Sequence, residues 1–68
     1  MAALSMRIDE ASPTVTYVGE AAAGTPESAP NWRIKKLEQA GAVLSIKYVN
    51  GDLDWNSVWN DRASLSYS

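Results

Sequence analysis

Three groups of side chains in this chain have types and spacings that could do chemistry. Asp52, Asp54 and Asn56 offer oxygen ligands at alternate positions, as a calcium loop does at its start. That loop next requires a glycine for its sharp turn and later a bidentate glutamate, and Ser57 and Ala63 stand in those places. The pattern fails at both, so these residues read as turn chemistry, with Asp54 placed to cap a following helix. Arg33, Lys35, Lys36 and Lys47 concentrate positive charge on one stretch, and strand alternation predicts Arg33, Lys35 and Lys47 on a shared face, as a phosphate-binding sheet would have them. Trp32, the one aromatic among them, is predicted to point the other way, and the formal net charge is −2. A solvated face, or one paired with acidic residues of a partner, is the favoured reading. Trp55 and Trp59, with Asn56, Asn60 and Asp61 beside them, could stack on a sugar ring. In a chain with no phenylalanine they read first as core or subunit interface, with Arg62 stacked on Trp59 to pin the helix end.

Other chemistries are closed by composition. Cysteine and histidine are both absent from the 68 residues, which removes disulfides, thiol nucleophiles, imidazole acid–base catalysis and the usual zinc ligands. No catalytic residue, metal ligand or cofactor site is predicted, and the chain is expected not to be an enzyme. So short a chain has room for one domain, and below roughly 70–80 residues a single core seldom suffices without a staple or a partner. Support from an oligomer or a larger assembly is therefore expected. The mild negative charge predicts no nucleic-acid or membrane partner, and no apolar run nears the roughly 18 residues of a membrane helix. Residues 1–6 lack a signal-peptide core, so synthesis in the cytosol is expected.

The elements that must position these groups follow from periodicity. Leu4, Met6 and Ile8 alternate with polar residues, predicting a strand or a docked extended arm that Asp9–Pro13 breaks. Thr14–Val18 is β-branched and aromatic, a strand with Val15 and Tyr17 on one face and Thr16 and Val18 on the other, ended by Gly19. Residues 20–31, rich in Ala, Gly, Pro and Ser, read as a connector, either lying against a neighbour or mobile at the surface. Trp32–Lys35 and the alternating Leu44, Ile46 and Tyr48 predict a hairpin over about 32–49, turning at Glu38–Gly41. Leu37 breaks its strand's alternation and is expected to turn the other way or to mark a bulge. Val43 and Val49 fall on the nominally wet face, which is therefore expected to be partly covered. Asn50–Gly51 is a tight-turn dipeptide. Trp55, Val58, Trp59 and Arg62 then share one face of a short helix. The expected fold is mainly β: a small single domain with this hairpin, extended N-terminal strands or arm, and a short C-terminal helical turn. Residues 1–31 form the arm and connector and 32–68 the hairpin and Trp-rich segment, in one folding unit.

Read in series, Tyr17-Val18-Gly19-Glu20-Ala21, a small-residue loop, Trp32-Arg33-Ile34-Lys35-Lys36, Tyr48-Val49-Asn50-Gly51-Asp52 and Val58–Ser68 resemble short virion structural proteins of tailed bacteriophages, tail/fibre- or capsid-associated. The similarity spans roughly residues 14–68, and its most specific piece is Trp59-Asn60-Asp61-Arg62-Ala63-Ser64-Leu65. The resemblance implies an accessory structural role in a virion, by capsid decoration or by tail or fibre attachment, and brings no catalytic motif. Expected partners are other virion proteins and copies of the chain itself. Binding is expected through backbone pairing from residues 3–18 and apolar contact, with Val15, Tyr17, Val18, Val43, Val49, Trp55, Trp59 and Arg62 as the candidate interface. The alternative from a different class is a small carbohydrate-binding module using Trp55 and Trp59 on a host glycan.

Overall fold

The computed structural model describes residues 3–68. Four strands, β1 (Leu4–Ser12), β2 (Val15–Ala22), β3 (Arg33–Ala40) and β4 (Val43–Tyr48), form one antiparallel sheet in chain order, and a 3₁₀ helix (Trp59–Ser64) follows. The mainly β fold expected from alternation and β-branched content is the fold observed.

Each boundary has a local cause. Pro13 and Thr14 make the turn between β1 and β2, with Ser12 Oγ accepting the Thr14 N–H at 3.3 Å. The run Asp9–Pro13 does not break the strand as expected: β1 takes up one extra residue between Asp9 and Ser12 as a bulge and pairs again at Ser12 with Val15. Nor does Gly19 end β2, which continues through it to Ala22. The glycine is there for space rather than for a turn. A Cβ on Gly19 would lie 2.5 Å from Cε3 of Trp59 and 3.3 Å from Cε3 of Trp32. The β3–β4 turn moves from the expected Glu38–Gly41 to Gly41 and Ala42, with Ala40 opposite Val43 and Gly41 at φ 62°. Two-residue turns with positive φ match the twist of the strands they join, so pairing runs on to Ala40. Asn50 (φ 53°) and Gly51 (φ 71°) form the predicted tight turn, closed by the Asp52 N–H on the Val49 carbonyl at 3.2 Å.

Register divides the sheet into two unlike faces. On one, Tyr17, Gly19 and Ala21 of β2 lie beside Ile34 of β3, and the chain after β4 folds back over them. Trp32, Ile34, Tyr17, Ala21, Val49 and Trp59 are buried there, with Val15, Leu65 and Tyr67 packed around them. Two backbone pairings hold this cover: Trp32 and Ser57 exchange hydrogen bonds of 2.9 and 3.0 Å, and Val49 bridges Tyr67. The loop before β3 is pinned to the same side, its Pro26 carbonyl accepting the Trp32 indole N–H at 2.9 Å and its Glu27 carbonyl accepting the Asn60 N–H at 3.2 Å.

The helix is shorter than its predicted pattern and starts later. Trp55 lies outside it, Val58 precedes it in an extended conformation, and no side chain caps it, so Asp54 is not its N-cap. Exchange of both hydrogen bonds with Trp32 holds Ser57 extended, which delays helix onset to Trp59. The accessible surface of 4307 Å² matches the about 4,200 Å² of a folded monomer of this mass. Residues 4–22 therefore belong to the body of the sheet rather than reaching away from it.

Candidate functional site

The acidic loop resolves into turn geometry. Asp52 Oδ1 accepts the Asp54 N–H at 3.0 Å, a side-chain turn of the kind aspartate favours. Asp54 and Asn56 are exposed, and among the described residues no three carboxylates gather as a metal site would need.

The basic residues are separated by register. Lys47 lies opposite Lys36, whereas Arg33 and Lys35 project from the other face, so the expected grouping of Arg33, Lys35 and Lys47 is corrected. Strand alternation was right within β3 and misapplied across the hairpin, where odd-numbered residues of β3 lie opposite even-numbered residues of β4, as Lys35 does opposite Tyr48. Glu38 lies between Lys47 (Nζ to Oε1, 3.3 Å) and Lys36 (Nζ to Oε2, 3.4 Å). The hydrogen bond from Lys47, and then the charge of Lys36, hold its carboxyl below the ordinary 4.5. Arg33 donates from Nε and Nη2 to Oε1 of Glu20. Among the described residues, each of these cations except Lys35 has a carboxylate partner.

The tryptophans do not form a platform. Trp59, 4% exposed, packs against Trp32 with ring centres 5.9 Å apart and a 37° tilt. As expected, the Arg62 guanidinium stacks on Trp59, at 4.5 Å, and Arg62 Nε also binds Asp9 Oδ2 at 2.9 Å. Trp55 is 42% exposed and lies against the Arg33 guanidinium at 4.3 Å, on the rim of the opposite face. A sugar ring cannot rest on both indoles.

Of the other interface candidates, Tyr17 and Val49 are buried in the chain's own core and Val15 packs against it. Tyr67 stacks near Tyr17 at 5.7 Å and donates its hydroxyl to the Arg62 carbonyl at 2.8 Å. Burial, reinforced by Tyr17 and opposed by Arg62, pushes the Tyr67 phenol up to about 12. Val43 is exposed near the β3–β4 turn, beyond the reach of the covering segment. Val18 alone of the eight lies within the second face of the sheet.

That second face is the feature sequence reasoning missed. Leu4 (53% exposed), Met6 (54%) and Ile8 (66%) line it along β1, and Leu44 (51%) and Ile46 (56%) along β4. Val18 and Leu37 lie between them, with the Glu20–Arg33 pair and Lys35. Leu37 does turn away from Ile34, as predicted, and meets Ile46. No described segment lies over these side chains. The alternation in β1 and β4 was visible, but it does not say which face the chain will cover. That choice follows the two indoles, which need Gly19 beneath them. The nominally wet face of β4, ending at Val49, is thus the covered one, and the face of Leu44 and Ile46 is bare.

Comparison with protein-family models, with curated proteins and with solved structures finds no match to this chain.

Proposed function

We propose that this chain is an accessory structural subunit that acts by binding neighbouring proteins, within the virion of a tailed bacteriophage. One observation carries the binding role: five large apolar side chains stand half-exposed or more on one sheet face. At on the order of 100 Å² each, they present roughly 500 Å² of apolar surface, at the top of what a solitary soluble domain leaves open. The resemblance of Tyr17–Ala21, Trp32–Lys36 and Trp59–Leu65 to virion proteins supplies the kind of assembly. Synthesis is in the host cytoplasm, and the working location is the particle, at capsid, tail or fibre. Backbone pairing with a neighbour falls to the outer edge of β1, because β2 is already paired on both sides.

Purified particles provide the test. Mass spectrometry of gradient-banded virions should find the chain at a fixed ratio to the major capsid or tail protein. Its absence from washed particles, with abundant free protein in the infected cell, would sink the proposal.

A further inference from the structure

We infer that the bare face of the sheet is a two-fold interface between copies of this chain; this names the first partner within the binding role proposed above and rests on it. Two observations select a second copy as the occupant.

The first is size. Four strands at about 4.8 Å spacing, each about seven residues long at about 3.3 Å, give a footprint of roughly 19 by 23 Å. That flat area is about 440 Å² per copy, and the relief of the side chains raises the surface taken from water towards the about 800 Å² per partner of a standard stable interface.

The second is charge. Both guanidinium contacts to Glu20 fall on Oε1, and Oε2 takes no hydrogen bond among the described residues. Lys35 has no ion pair among them either. One unused acceptor and one unused cation thus stand on neighbouring strands, Lys35 opposite Val18 and Glu20 opposite Arg33. A two-fold interface makes every contact twice, residue i to j and j to i, so a face carrying both halves of a pair satisfies both. Sheet order shows how they meet. An axis running along the strands lays β2 over the β3 of the second copy, bringing Glu20 within reach of that copy's Lys35. The same axis keeps height along the strands and so lays Ile8 of β1 over Tyr48 of the other β4, with Ile46 two residues further along it. Aligned stacking of two twisted sheets at about 30° is a standard packing.

Sedimentation equilibrium on the full chain tests the inference. The expected mass is twice 7.4 kDa, falling towards one chain on dilution. Ile46→Lys and Ile8→Lys, both on exposed positions, should each leave a monomer with unchanged circular dichroism, while Val43→Lys, off this face, keeps the dimer. Lys35→Glu should weaken association roughly tenfold or more at low salt, with a smaller loss at high salt. A wild-type monomer at every concentration overturns the inference, as does a dimer indifferent to both isoleucine substitutions. The two proposals fail separately. A monomer still found in particles, its β1 and β4 amides protected there from exchange, assigns the face to another virion protein. A dimer absent from particles keeps the interface and removes the virion role.

Discussion

Gly19 shows how one missing side chain decides the arrangement of all the others. The Trp59 ring occupies the space a Cβ would take, so Gly19→Ala must displace an indole from the middle of the core. Overpacking of this kind costs about 1–3 kcal/mol, and a thermal melt should show a drop of at least several degrees for a domain this small. Its φ lies outside the left-handed region, so this cost is steric. Tyr67 gives a second residue-scale expectation. Its phenol ionises at about 12 in the fold and near 10 in the unfolded chain. Between those values the folded state holds a proton that the unfolded state has released, so stability falls as pH rises through that window. Urea melts stepped from pH 9 upward should show a decline that Tyr67→Phe flattens. At the acid end Glu38, lowered by Lys47 and Lys36, contributes stability that is lost as pH falls below its unfolded value.

Among the elements, the two glycines in and beside β3 and β2 fail for opposite reasons. Gly41 has nothing within 4 Å of where a Cβ would sit, yet its φ is 62°. Gly41→Ala should therefore cost about 1–2 kcal/mol through backbone strain alone, and amide exchange should quicken first at Ala40–Val43. Much of this level was legible beforehand. Alternation located β1, β2 and the hairpin, Asn50–Gly51 marked the tight turn after β4, and the split of Val15 and Tyr17 from Thr16 and Val18 is the split observed. What could not be read was long-range. Gly19 looks like punctuation unless Trp32 and Trp59 are known to cross it. The spacing of Trp55, Val58, Trp59 and Arg62 suggests one helix unless Ser57 is known to be held extended by Trp32. The eight interface candidates were chosen for apolar or aromatic character, and the fold takes Tyr17, Val49 and Trp59 into its own core. The bare face went unseen for the same reason, since local pattern cannot tell a covered stripe from an open one.

The whole molecule is a sheet with one finished side. Ile34 on the covered face is 1% exposed, and Ile34→Ala should cost about 2–5 kcal/mol, a large share of what a chain below 80 residues holds in reserve. Ile46→Ala removes the same chemistry from the bare face and should cost less than about 1 kcal/mol when the protein is dilute. Chemical denaturation at two concentrations separates the sides. On the two-fold interface inferred above, the Ile46→Ala deficit should grow at high concentration while the Ile34→Ala deficit stays constant, because stability drawn from a second copy would follow mass action.

The order of the strands along the chain also has a kinetic consequence. All three strand pairings join sequence neighbours, and hairpins of this kind form in about 1–10 μs. The cover, residues 49–68, must instead come down across the sheet through contacts distant in sequence. A refolding chain therefore passes through an interval in which the strands are zipped and both of its faces are open. Molecules that collide in that interval can seize one another on the side meant for Trp59. Refolding yield should then fall with concentration even where the finished protein stays in solution, and slow dilution from denaturant should recover it.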